Sequence, residues 1–347
     1  MKTAIVALLA AAFVPAIALA ETPTADIAQR TELYAIPSMT LSDGDFLTGK
    51  DGKPVTVGGQ FRIAQGTGKL PVVVLMHGSG GIGPNIDVWS RLFNAMGVSA
   101  FAIDGFTGRG LVSTSADQAK LGRLNFILDT YGALAILARH PRVDPERIVL
   151  MGFSRGGQAA LYASLARFHK TWNKSGASFA AYIPFYPDCS TSYIDDTEVG
   201  STPIRIFHGI ADDYNPVASC KPFVARLKSA GRDVELTEYA DAQHGFDTPL
   251  GAPKVVAKGS QTVRACTIKE GPAGVLMNTA SGCAVRLHRR LRPARPACRA
   301  QRRRNRGGAG RGRRFRPHAL QAEVARPSWA RRPWSAEWRP GRSGPGR

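Results

Sequence analysis

This 347-residue sequence predicts an α/β fold built on one mostly parallel sheet. Three observations carry that prediction. From about residue 55 onward, short β-branched runs alternate with longer helix-like stretches. The run Val72-Val73-Val74-Leu75-Met76 is apolar on successive residues, as expected of a strand covered on both faces. Hydrophobic residues make up 44% of the chain, enough for a sizeable buried core and too many for disorder throughout.

In chain order, the β-branched runs predict strands at about 55–63, 72–76, 99–103, 148–151, 180–185, 204–207 and 234–239. Helical spacing predicts helices near 88–96, 116–139, 158–167 and 221–230. No internal repeat is present. The first twenty residues have a different character: Lys2, an apolar stretch and then Ala18-Leu19-Ala20 make the pattern of a cleaved export signal over 1–20. A domain over 21–285 follows, expected to be soluble in the periplasm or outside the cell. No other apolar run approaches the ~18 residues of a membrane span.

Charge divides the chain further. The formal net charge is +20, but residues 286–347 hold 20 Arg, no Lys and two acids, so residues 1–285 are nearly neutral. Arg, Ala, Gly and Pro supply 43 of those last 62 residues, with neither helical nor strand periodicity. These amino acids share GC-rich codons, so the tail reads as disordered and as an out-of-frame translation of a GC-rich gene. The competing reading is a nucleic-acid or anionic-surface arm. It rests on Arg306-Gly307-Gly308 and on Trp329, Trp334 and Trp338 as stacking groups. For the domain itself no nucleic acid, membrane, metal or cofactor is expected.

An exported chain keeps disulfides. The four cysteines before the tail are expected to pair as Cys189–Cys220 and Cys266–Cys283, each closing a short interval. No CxxC or HxxxH spacing suggests a metal site.

In open α/β sheets ligands bind beyond the carboxyl ends of the strands, so motifs placed just after a strand are the ones to weigh. Gly152-Phe153-Ser154-Arg155-Gly156 lies between a strand and a helix. A serine nucleophile must project from a tight turn with small flanking residues, which this motif provides. His77-Gly78-Ser79-Gly80-Gly81 follows the strand at 72–76. The backbone N–H groups of Ser79 and of Arg155 are the candidates for an oxyanion hole, and His77 is read as a structural loop anchor. Asp212 and Asp213 follow the strand at 204–207; an acid there can orient a histidine, and Asp212 is preferred for its spacing to Gly209 and Pro216. His244 follows the strand at 234–239 and completes the order Ser154, Asp212, His244. A second local reading exists, because Gly78-x-Gly80-x-x-Gly83 with Asp104 about 20 residues on matches a dinucleotide-binding fingerprint.

From 55 to 246 the four motifs, in this order, resemble the α/β-hydrolase fold and more narrowly the dienelactone hydrolase family. Gly209-Ile210-Ala211-Asp212 with Pro216, His244-Gly245-Phe246-Asp247, and the stretch from Asp104 to Gly110 are the narrower marks. The resemblance implies a mostly parallel twisted sheet with helices on both faces. It also implies Ser154 as nucleophile, His244 as general base and Asp212 as orienting acid. It departs at one point: members that act on dienelactone use a cysteine nucleophile, and Ser154 stands in that place here. Hydrolysis of small-molecule esters or lactones is the implied chemistry, and a non-catalytic protein that keeps the hydrolase fold is the alternative. Arg109 is a candidate contact for a substrate carboxylate, with Arg155 as a second, and Trp172, Tyr186 and Tyr214 are candidate pocket walls.

Overall fold

The structure, a computed structural model, describes residues 25–249 and 261–285. The segment 1–20 and the tail 286–347, with the readings attached to them, lie outside the described residues.

The main sheet has eight strands. They are β1 (Arg30–Thr40), β2 (Lys53–Ile63), β3 (Leu70–Met76), β4 (Ser99–Asp104), β5 (Val143–Phe153), β6 (Ala181–Phe185), β8 (Ile204–Gly209) and β9 (Val234–Tyr239). Their spatial order is β1-β2-β4-β3-β5-β6-β8-β9. The β1–β2 and β2–β4 pairs are antiparallel, and every pair from β4 through β3 to β9 is parallel. The seven strands predicted from sequence are all present. The edge strand β1 was not predicted, since all its residues but the buried Ile36 are exposed or half-buried and it carries little apolar signal.

Alternation within the strands divides the core into two layers. Val72, Val74 and Met76 of β3, with Ile148 and Leu150 of β5, face one cluster; Val73, Leu75, Val149 and Met151 face the other. Helices α3 (Asn125–Leu137), α4 (Arg155–Tyr162), α5 (Ala166–Trp172) and α6 (Cys220–Ser229) supply residues to the first cluster. Helix α2 (Pro84–Ala95) covers the second with Ile86, Trp89 and Phe93, a helical stripe, aided by Tyr239, Ala242 and Phe246. Pro84 at its first position starts α2 cleanly after Gly83.

Two predicted helices are shorter or broken. The stretch 116–139 becomes helical only at Asn125, because Asp117 caps a separate short turn, its side chain accepting from Ala119 N–H. The stretch 158–167 breaks at Leu165, whose backbone is extended, and Ala166 N–H bonds to Glu198 O instead of continuing the helix.

A second, four-stranded sheet joins β7 (Thr191–Ser192), β10 (Ile268–Glu270), β11 (Leu276–Asn278) and β12 (Cys283–Ala284), ordered β12-β11-β10-β7. It docks on the body through Glu270, which accepts two bonds from Arg167, at 2.9 and 2.5 Å. A short helix α1 (Asp43–Leu47) packs nearby.

Cys189 and Cys220 form a disulfide closing an interval of 31 residues, worth about 3–4 kcal/mol if it acts through unfolded-chain entropy. The expected Cys266–Cys283 bridge is corrected. Cys266 is disulfide-bonded, but not to Cys283, which is free and exposed. Cys266 lies just before β10 and Cys283 begins β12, and β11 separates these strands, with Ile268 and Cys283 on opposite sides of Asn278. Two strand spacings, about 9.6 Å, exceed what a disulfide spans.

Candidate active site

The site forms at the carboxyl ends of β3, β5, β6, β8 and β9. Ser154 follows β5 and precedes α4, with φ 55° and ψ −111°, a conformation that a non-glycine residue rarely adopts. The turn is tight enough to dictate its neighbours. A Cβ on Gly152 would stand 2.0 Å from Gly156 O, and a Cβ on Gly156 would stand 2.1 Å from Met76 O. The two glycines are thus required by close approach, and the strain at Ser154 lifts its hydroxyl into the cleft.

Three elements distant in sequence meet there. Ser154 Oγ lies 2.9 Å from His244 Nε2, and His244 Nδ1 lies 2.8 Å from Asp212 Oδ2. With Nδ1–H donating to the carboxylate, Nε2 is left to accept from the serine hydroxyl. The Asp212 side chain is fully buried, and its other oxygen accepts from Tyr214 N–H and Asn215 N–H, both at 2.9 Å. Of the two adjacent acids, Asp212 meets His244 while Asp213 lines the open cleft.

Tyr186 and Tyr214 hold the imidazole between them, each ring centroid 4.8 Å from that of His244. The His244 loop is pinned by Asp247. Its buried carboxylate accepts from Tyr186 OH (2.5 Å), Trp89 Nε1 (2.9 Å) and Asn85 Nδ2 (3.1 Å). Burial pushes the Asp247 carboxyl up, against these three donors. In the sequence nothing marks a role for Asp247 beyond its place after His244-Gly245-Phe246, because its partners on α2 lie about 160 residues away and leave no local signal.

Ser79 and Arg155 both line the cavity that contains Ser154. Among the described residues, no backbone bond outside the helices and strands uses the N–H of either, and Arg155 is the first residue of α4, whose N–H has no intrahelical acceptor. Arg155 is 5% exposed, and its guanidinium is tied to neighbouring loops. It donates to Thr114 Oγ1 (2.9 Å) and Leu121 O (2.6 Å), has no carboxylate partner among the described residues, and burial pulls its pKa down to about 10.

Arg109 is not in the cleft, and the substrate-contact reading is corrected. Its side chain is 2% exposed and forms a two-pronged ion pair with fully buried Asp129, at 2.7 and 2.8 Å. Its remaining bonds go to Gly105 O, Met39 O, Thr40 Oγ1 and, at 3.4 Å, Ser38 Oγ. Trp172 is also elsewhere, its ring tilted against Phe46 with centroids 5.2 Å apart. The dinucleotide reading loses its acid: Asp104 accepts from Phe106 N–H, Thr107 N–H and Thr107 Oγ1, capping a turn. Gly78 is packed against Phe153 and Ser154, so that loop serves the serine turn. Among the described residues no cluster of His, Cys, Asp and Glu is arranged to hold a metal, and no helix is long and apolar enough to cross a membrane.

His77 is buried at 1% exposure, donating from Nδ1 to Gly78 O (2.7 Å) and accepting at Nε2 from Gly105 N–H (3.1 Å). Protonation would set two hydrogens against each other at Nε2, and burial lowers the pKa to about 4. Between pH 6.5 and 4 the unfolded chain therefore takes up the proton that the folded chain refuses. Stability from this group is fully present above about pH 6.5 and is lost as pH falls, by about 3 kcal/mol at pH 4. His208, also lowered by burial, adds to the loss. Urea unfolding from pH 7 to 4 should show this decline, and a His77→Asn variant should show a shallower one. An equal slope in both proteins would remove His77 as its source.

A serine of this geometry at the carboxyl ends of a mostly parallel sheet, in line with a histidine and an acid from later loops, defines the α/β-hydrolase class. The family follows from comparison of the whole sequence: the model of the dienelactone hydrolase family matches residues 59–267, well over half of the chain, and the protein belongs to that family. It is a hydrolase. A Synechocystis protein provisionally named a carboxymethylenebutenolidase is 26% identical over 235 residues, covering 64% of this chain and 88% of that one. An Arabidopsis thaliana protein provisionally named a carboxylesterase is 31% identical over 104 residues, 30% of this chain and 38% of the other. Among solved structures, a dienelactone hydrolase-like promiscuous phosphotriesterase from metagenomic libraries matches with a TM-score of 0.48. It is 20% identical and covers 63% of this chain and 86% of its own.

Proposed function

We propose that the protein hydrolyses carboxylic esters or lactones by acyl transfer through Ser154. The reading rests on one observation above the others, the line of two short hydrogen bonds from Ser154 Oγ through the His244 ring to Asp212. His244 Nε2 takes the hydroxyl proton as Ser154 Oγ attacks the acyl carbonyl. The oxyanion that forms is held by the N–H groups of Ser79 and Arg155, each worth about 3–4 kcal/mol in such a role. His244 then returns the proton to the departing alcohol, and a water activated by the same nitrogen releases the acid. Asp212, fixed by two backbone donors, holds the imidazole in the required tautomer and stabilises its cation. No cofactor enters these steps.

The domain is taken to span 21–285 and to work after export. The signal-like start of the chain supports that, as does the Cys189–Cys220 bridge, which persists in oxidising compartments. The Arg-rich tail has no part in the chemistry. Treatment with a fluorophosphonate followed by peptide mapping tests the central claim. A single adduct on Ser154 is the expected result, and an active protein labelled elsewhere or not at all would refute it.

A further inference from the structure

Two spaces open from Ser154, and they differ in size and chemistry. One, of about 320 Å³, is lined by Gly78–Gly81, Tyr186, His244 and Thr248. The other, of about 40 Å³, lies beyond Gln158, Arg123, Asp188 and Asn215. His244 borders only the larger space. Since His244 must hand its proton to the leaving alcohol, the alcohol departs on that side, and the acyl group is directed into the smaller one.

That smaller space has a built limit. At about 40 Å³ it is far smaller than the space of about 320 Å³ on the His244 side. Gln261, Thr262 and Val263 line it from the segment that precedes β10, and that segment is fastened down. Gln261 Oε1 accepts from Gln118 N–H (2.7 Å), Gln261 O accepts from Tyr214 OH (2.6 Å), and Thr262 Oγ1 donates to Tyr214 O (2.8 Å). Making room for a long chain would break this set of bonds.

Its walls also carry an unanswered polar group. Gln158 is 4% exposed, yet its Nε2 is buried with no hydrogen-bond partner among the described residues. An amide left so is costly unless a ligand completes it. Gln158 lies one helical turn after Ser154, on the same face of α4, and its backbone N–H bonds to Ser154 O (2.8 Å). Asp188 stands in the same wall, 3.4 Å from Arg123 and also accepting from Ser190 N–H. A donor at Gln158 and an acceptor at Asp188 together suit a hydroxyl, which accepts and donates at once. Asp188 would repel a carboxylate, but Arg123 and Arg155 line the same space, so the choice between a hydroxyl and a carboxylate falls to the malonate comparison below.

We infer that the small space is the acyl subsite and that it selects short acyl groups bearing a hydroxyl, of the 2-hydroxyacetyl kind, with Gln158 as the residue that reads the hydroxyl. The inference rests on the serine-hydrolase reading above. Four phenyl esters with one leaving group test it: acetate, glycolate, octanoate and the malonate half-ester, with kcat/KM measured for each and hydroxide rates used to remove intrinsic reactivity. The parent should prefer glycolate after that correction and should discriminate against octanoate by about 100-fold or more. In Gln158→Leu, the glycolate-to-acetate ratio should fall about tenfold or more, a comparison in which intrinsic reactivity cancels. Octanoate turned over as well as acetate, a malonate half-ester favoured over glycolate, or an unchanged ratio in the variant would each overturn the inference. The parent series needs no variant to fold. Fluorophosphonate labelling of the same preparation separates the two levels: Ser154 labelled with the wrong preference rejects the subsite alone, whereas hydrolysis without Ser154 labelling rejects the serine mechanism and the subsite with it.

Discussion

Replacing Ser154 by Ala should lower kcat/KM for phenyl or p-nitrophenyl acetate by about 10⁴-fold or more, with the urea midpoint nearly unchanged. The size follows from geometry. Ser154 Oγ is the hydroxyl in line with His244 Nε2 at 2.9 Å, and the substitution removes one oxygen from a position that is 8% exposed. The strained backbone, φ 55°, is retained by Ala as by Ser, so the turn itself is little altered. The residual rate measures what the amides of Ser79 and Arg155 achieve by themselves. A variant within tenfold of the parent would mean that the serine does not attack.

The largest expected loss of stability comes from Arg109. In Arg109→Leu, Asp129 is left fully buried without its cation, and the expected cost is about 3–5 kcal/mol by urea unfolding. The pair also ties distant segments together. Arg109 follows β4 and bonds to Met39 O and Thr40 Oγ1 of β1, while Asp129 lies on α3 and accepts from Ser38 Oγ at 2.5 Å. The double variant Arg109→Leu with Asp129→Leu should recover most of the loss, since it leaves no unpaired charge. Arg109→Lys separates this role from substrate binding, because an ammonium cannot reproduce the two-pronged geometry. A lowered midpoint with KM unchanged for acidic and neutral esters is expected. An unchanged midpoint with KM raised for acidic esters alone would restore Arg109 to the cleft.

Arg109 also illustrates the limit of reading positions one at a time. It stands in a recognisable stretch after a strand, where ligand-binding residues are common, and nothing near it in sequence announces Asp129. The bridge expected between Cys266 and Cys283 failed similarly. A short interval suggested it, but β11 stands between β12, where Cys283 lies, and β10, which Cys266 only precedes. Gln158 carried a usable signal, its four-residue spacing from Ser154, but its meaning depends on whether anything pairs with its amide.

The sequence by itself determined the α/β alternation, the strands buried on both faces, and the serine turn with its two glycines. These are local matters: side-chain period, β-branching and the room a tight turn allows act over a few residues and can be read there. Only the tertiary structure decided which acid reaches His244, that Arg109 pairs inward with Asp129, and that two spaces of unequal size open from Ser154. Those depend on strand order and on segments up to 160 residues apart brought within hydrogen-bond distance, as Trp89 and Asp247 are. Packing selects them by the cost of leaving a buried charge or polar group unpaired, and that cost exists only once the layers close.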